Sequence, residues 1–71
     1  MNLISFMRLM VMPEFTWVII RDPMSGQELA AGYADDLLER SALFLQNFDM
    51  VSYLATEESF IINARRKEYN K

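Results

Sequence analysis

The chain has 71 residues, contains no cysteine and no histidine, and carries a formal net charge of −3. This length allows one small core, and the missing residue types exclude disulfides, thiolate nucleophiles and zinc sites with histidine or cysteine ligands. A hydrophobic share of 52% disfavours disorder, and the acidic balance disfavours a broad phosphate-binding surface.

Residues 1–13 form an apolar segment that is rich in methionine. Arg8 interrupts the segment and Pro13 closes it, so it falls short of the roughly 20 apolar residues that a membrane span needs. Its start is not basic and no small-residue cleavage site follows, so no signal peptide is predicted. We interpret it as an apolar arm or an extra strand, with an adaptable contact surface as the alternative. A start at one of its later methionines also stays open.

Residues 14–71 are predicted to form a single small α+β domain that begins with a β-hairpin. β-branched and aromatic side chains alternate along residues 14–21, as in a strand. We assign to the core the face that carries Phe15, Trp17 and Ile19. Pro23 and Gly26 then supply a turn in which Asp22 can bond forward to the backbone, and a return strand is expected at residues 27–34.

The return strand has a competing interpretation as the start of a helix. Residues 25–28 match a capping box, which would allow a helix that runs to Phe48. Gly32 would then lie inside that helix at a cost of about 1 kcal/mol relative to alanine. The preceding turn and the alternation of apolar side chains favour the strand.

A single helix is predicted from Asp36 to Phe48. Acidic side chains at its start suit the helix dipole, and Asp36 and Arg40 are spaced to form an i,i+4 ion pair. Leu43 lies among polar positions, so we expect it to be exposed. One helical stripe, apolar except for the serine, is formed by Leu37, Leu38, Ser41, Phe44, Leu45 and Phe48.

One or two strands are predicted after the helix. Val51 and Tyr53 start one alternating run, Phe60 and Ile62 start another, and residues 56–59 form a polar turn between them. The expected fold is therefore α+β, a small antiparallel sheet with a single helix packed on one face. That face would carry Phe60 together with the aromatic face of the first strand.

The sequence predicts no catalytic, cofactor-binding or metal-binding site. Asp35, Asp36 and Glu39 offer oxygen ligands for a hard cation, but no EF-hand-like loop accompanies them and two of them serve the helix start. The serines have no neighbouring base to activate them. We therefore expect a protein that is not an enzyme and holds no cofactor.

The layout resembles the small acidic proteins that bacteriophages make to bind and disable host enzymes. The resemblance is carried by chain length, net charge and the order of hairpin, helix and strand. It implies a cytoplasmic interaction module of viral type. We expect an inhibitor or adaptor that docks on another protein with a basic surface, through its acidic helix face or an open sheet edge. The candidate partner-binding residues are Asp35, Asp36, Glu39, Leu43, Glu57 and Glu58.

Two alternatives remain at this point. One is a structural protein that assembles into a homo-oligomer through the apolar N-terminal arm. The other, weaker one is nucleic-acid binding through a basic C-terminal tail at residues 65–71, led by Arg65, Arg66 and Lys67. Nucleic acid is the less expected partner because the rest of the domain is acidic.

Overall fold

The computed structural model describes residues 1–67; residues 68–71, the end of the predicted basic tail, lie outside the described part. The chain forms an α+β fold in which a four-stranded mixed sheet carries three short helices, as the predicted class requires. In chain order the elements are α1 (Leu3–Met7), a 3₁₀ turn (Pro13–Phe15), β1 (Trp17–Arg21), β2 (Glu28–Tyr33), α2 (Ala34–Arg40), α3 (Ala42–Leu45), β3 (Phe48–Ala55) and β4 (Phe60–Arg66).

The sheet has the strand order β2-β1-β4-β3. β1 pairs with β2 and β3 pairs with β4, both in antiparallel hairpins. The two central strands, β1 and β4, run parallel, so the prediction of an antiparallel sheet is right for the hairpins and wrong for the central pair. The reason is that β3 takes the outer position, and β4 returns from it between β3 and β1.

The turn between β1 and β2 has the predicted chemistry. The Asp22 carbonyl oxygen accepts a hydrogen bond from the Gly26 amide at 2.7 Å, and the Asp22 carboxylate accepts one from the Met24 amide at 2.8 Å. Gly26 has φ of +75°, a left-handed value that glycine adopts without strain. The strand interpretation of the segment after this turn is correct, because β2 spans Glu28–Tyr33.

The helices cover one face of the sheet, and it is the opposite of the face of β1 that was predicted to carry the core. Val18 and Ile20 are fully buried there, beside Ile62 of β4. Trp17 and Ile19 point to the helix-free face, so their assignment to the core is wrong, while Phe60 packs against the core as predicted. Both faces of β1 are apolar, and a period of two alone cannot choose between such faces.

The predicted single helix is divided into α2 and α3. Ser41 has φ −118° and ψ 15° and separates the two, and its amide donates to the Leu37 carbonyl oxygen at 2.9 Å. Serine is a weak helix former because its hydroxyl competes for backbone groups, which suits this position. Phe48 opens β3 and does not end a helix, although the predicted Asp36–Arg40 ion pair forms at 2.9 Å.

The N-terminal segment, for which an apolar arm or an extra strand was expected, contributes the helix α1 to the core. Leu3 and Met7 of α1 are fully buried with the core residues of the sheet. The Asn2 side-chain oxygen caps this helix by accepting hydrogen bonds from the amides of Ile4 at 2.9 Å and Ser5 at 3.2 Å. The arm is thus held in place by packing and by a cap.

Replacing Asn2 with alanine is expected to lower the free energy of unfolding by about 1 kcal/mol, because two amide donors at the start of α1 lose their acceptor. Ser5→Ala is the matched control, since the Ser5 side chain is exposed. Urea denaturation followed by circular dichroism compares the two. Equal stability of both variants would contradict the capping role.

Candidate protein-binding surface

β3 is an edge strand whose second half is open to solvent. Val51, Tyr53 and Leu54 are 49%, 55% and 59% exposed, and Ser52 and Ala55 are exposed as well. We call residues 51–55 the free edge. The segment contains no charged residue and no proline, the features with which proteins usually protect an edge strand from pairing.

The alternation of hydrogen-bonded and non-hydrogen-bonded pairs in the β3–β4 hairpin determines which backbone groups of β3 face outward. The Thr56 amide donates to the Ser59 carbonyl oxygen at 2.8 Å, so this pair faces inward. Inward and outward pairs alternate in an antiparallel ladder. The N–H and C=O groups of Tyr53 and Ala55 therefore point away from β4, whereas those of Leu54 point towards it.

The first half of β3 is covered by the chain's own N-terminus. The Met1 carbonyl oxygen accepts a hydrogen bond from the Met50 amide at 2.8 Å, and Asn2 forms an isolated antiparallel bridge with Asp49. We call Met1 and Asn2 the N-terminal strap. Because the strap ends the open stretch at Met50, an added strand can pair only with the free edge and the turn that follows it.

The opposite edge of the sheet is less open. The four inner residues of β2 are half-buried, and α2 packs beside this strand. A bulge interrupts the β1–β2 ladder between Ile20 and Arg21, and another interrupts the β3–β4 ladder between Met50 and Ser52, so bulges do not distinguish the two edges. A covering helix, which only the β2 edge has along its length, is a device that blunts an edge. The free edge of β3 is therefore the better acceptor for an added strand.

An apolar groove adjoins the free edge on the helix-covered face. The Tyr53 ring stacks on the Phe60 ring with centroids 5.2 Å apart. The centroid of the Phe6 ring lies 5.1 Å from that of Tyr53. The groove has a volume of about 510 Å³ and is also lined by Met10 and Met12. Aromatic and thioether side chains give this groove an adaptable apolar wall.

An apolar row crosses all four strands on the helix-free face. The strand registers align Ala31, Ile19, Ile61 and Leu54 from one edge of the sheet to the other. Leu54 ends this row at the free edge. The row therefore presents uncovered apolar surface up to the position where another strand would pair.

The predicted acidic residues occupy two places at one end of the sheet. Asp35 and Asp36 lie in the first turn of α2, and Glu57 and Glu58 lie in the β3–β4 turn. Both places adjoin the end where β1 and β4 begin and β2 and β3 finish.

Glu39 lies further along α2, away from the turn that carries the other acidic group. Leu43 of α3 is 80% exposed, as the sequence predicts. The binding roles of all six predicted partner-binding residues stay predictions, and the acidic turn is the group that directly follows the free edge.

The predicted basic residues lie at the other end of the sheet. Arg65 pairs in register with Asp49, while the Arg66 guanidinium lies 5.4 Å from the centroid of the Phe48 ring on the helix-covered side. Successive strand residues face opposite sides, so these arginines do not form one stripe. A shallow concavity beside the edge, the basic concavity, is lined by Asp49, Val51, Arg65, Arg66 and Lys67.

Residues 1–67 contain no group of three or more acidic side chains placed to hold a metal ion, and this includes the cluster at Asp35, Asp36 and Glu39. None of the helices in that range has the length and apolar character to cross a membrane.

Comparisons with known proteins found no similarity. No protein-family model matches the chain, and neither does any curated protein or any solved structure.

Tyr53 and Leu54 were not predicted as contact residues from the sequence. The available signal was the uncharged run at residues 51–55 between Asp49 and Glu57. What the run does not reveal is the strand order, which places β4 inside the sheet and leaves β3 at its edge. A strand of the same composition in the centre would have both edges paired.

Proposed function

We propose that the protein is a small interaction module that binds another protein by accepting one of its strands at the free edge. The observation that supports this is the outward-facing backbone of Tyr53 and Ala55 within an exposed, uncharged segment. Main-chain hydrogen bonds supply affinity in this mode of recognition, and pockets beside the strand supply specificity. The apolar groove lies where alternate side chains of an added strand would enter.

Acidic side chains direct this module towards a basic partner surface. Glu57 and Glu58 lie in the turn that follows the free edge, so they are close to any strand that pairs there. Asp35, Asp36 and Glu39 add negative charge on α2. Complementary charge raises the rate of encounter more than the final affinity. An inhibitor or adaptor that masks a basic surface is the function that fits this arrangement.

Leu54→Lys is expected to abolish capture of the partner in an affinity purification from the native host, because a lysine at an open edge opposes strand addition. Met24→Lys is the matched control: it places the same charge on an 87% exposed apolar residue in the β1–β2 turn, away from β3. Mass spectrometry quantifies the recovered protein. Equal recovery by wild type and by the Leu54 variant would remove the free edge as the docking site.

A further inference from the structure

We propose that the free edge is occupied by a second copy of this chain, which pairs antiparallel to it about a two-fold axis at Leu54. The inference rests on the proposed function, since it names the partner of the same surface. Three features of the described residues support it: the direction of the backbone groups, the apolar row and the distribution of charge.

Backbone geometry supports this register. With Leu54 opposite Leu54, Tyr53 lies opposite Ala55 of the second copy, and the converse pair forms by symmetry. Both residues direct N–H and C=O groups outward, so each pair exchanges two hydrogen bonds. In this register the β3–β4 turn of the second copy lies beside Met50, where the N-terminal strap begins, so the paired segment ends before the strap. Pairing further towards Phe48 would collide with the strap.

The apolar row continues across the two-fold axis in this register. Leu54 closes the row of each copy at the free edge, and it lies in a position that is not hydrogen-bonded between the copies. Side chains in such pairs approach most closely, with Cα atoms about 4.5 Å apart. The two rows therefore join into one apolar band over eight strands, which buries Leu54 on both sides.

Charge complementarity selects a second copy over an unrelated apolar strand. The same register places Glu57 of one copy opposite Val51 of the other, at the basic concavity. Three cations and one carboxylate line that concavity, namely Arg65, Arg66, Lys67 and Asp49. The acidic turn of each copy thus meets the basic end of its partner, and the contact occurs twice by symmetry. Opposite ends with opposite charge favour the antiparallel arrangement.

Sedimentation of the full chain from about 1 µM to about 1 mM tests the proposal, and a monomer–dimer equilibrium is expected. Two charge-reversed proteins follow, one with Glu57→Lys and Glu58→Lys and the other with Arg66→Glu and Lys67→Glu. Each alone places like charges together, so its dissociation constant rises about tenfold or more. An equimolar mixture restores opposite charges at both contacts, so a heterodimer as tight as the wild-type dimer is expected.

A covalent test is independent of the charged residues. The chain has no cysteine, so Leu54→Cys introduces a single thiol. Across the two-fold axis the two thiols fall within the Cα separation that disulfides require. Rapid formation of a covalent dimer under mild oxidation is expected, while the more exposed control Met24→Cys stays largely monomeric. Equal rates of dimer formation in the two variants would overturn the register.

The outcomes separate this proposal from the function on which it rests. A wild-type chain that remains monomeric at every concentration overturns the second copy as occupant. So does a mixture of folded, charge-reversed proteins that fails to associate. Either result leaves the free edge as a docking site for a different protein, which fails only if Leu54→Lys leaves capture of the partner unchanged.

Discussion

Replacing Ile20 with alanine is expected to lower the free energy of unfolding by about 2–5 kcal/mol, whereas Ile19→Ala is expected to cost less than about 1.5 kcal/mol. The two side chains are neighbours in β1 but lie on opposite faces of the sheet. Ile20 is fully buried under the helices, and Ile19 is half-buried on the helix-free face. A domain of this size has a stability of only a few kcal/mol, so the Ile20 variant loses most or all of it.

Urea denaturation followed by far-ultraviolet circular dichroism measures both isoleucine variants. The two variants are matched controls for each other, because each change removes the same atoms from the same strand. Similar losses of stability, or a larger loss at Ile19, would mean that the helices cover the other face. That result would return Trp17 and Ile19 to the core, where the sequence alone had placed them.

Replacing Leu3 with alanine is expected to be as damaging as the change at Ile20, with a loss of about 2–5 kcal/mol. Leu3 is fully buried in α1 and belongs to the same core cluster as Ile62 and Leu45. Leu9→Ala is the matched control because Leu9 follows α1 and is exposed. We expect the control to stay within about 0.5 kcal/mol of the wild type.

Thermal and urea unfolding of the Leu3 and Leu9 variants decides how the N-terminal arm acts. If the arm served only to join copies of the chain, Leu3→Ala would reduce association and leave the stability of the monomer unchanged. The buried position of Leu3 predicts instead that Leu3→Ala lowers the stability of the monomer, even in dilute solution where the chains do not associate. Deletion of residues 1–7 is then expected to unfold the domain.

Much of the fold could be predicted from local chemistry. The first hairpin followed from Asp22, Pro23 and Gly26, which have well-defined turn preferences, and the one or two strands predicted after the helix form a second hairpin. The choice of face for β1 could not be predicted, because the residues on both of its faces are apolar. Pattern specifies a buried face only where one side is polar.

Strand order and helix continuity depend on long-range contacts. The parallel pairing of β1 with β4 joins residues more than 40 positions apart, and no local signal encodes it. Phe48 fits the apolar stripe of the predicted helix, yet it starts β3 opposite Arg66. Tertiary pairing overrides helix propensity at such a position. The candidate binding surface was missed for the same reason, since the exposure of Tyr53 and Leu54 follows from strand order.

Residue-resolved amide hydrogen exchange tests the account most directly, because the account depends on an open edge at β3. In dilute solution the Tyr53 and Ala55 amides are expected to exchange quickly, while the neighbouring Leu54 amide is protected by β4. Protection of Tyr53 and Ala55 is then expected to rise with protein concentration. Slow exchange of both amides in dilute monomer, or equal exchange at Tyr53 and Leu54, would contradict the open edge.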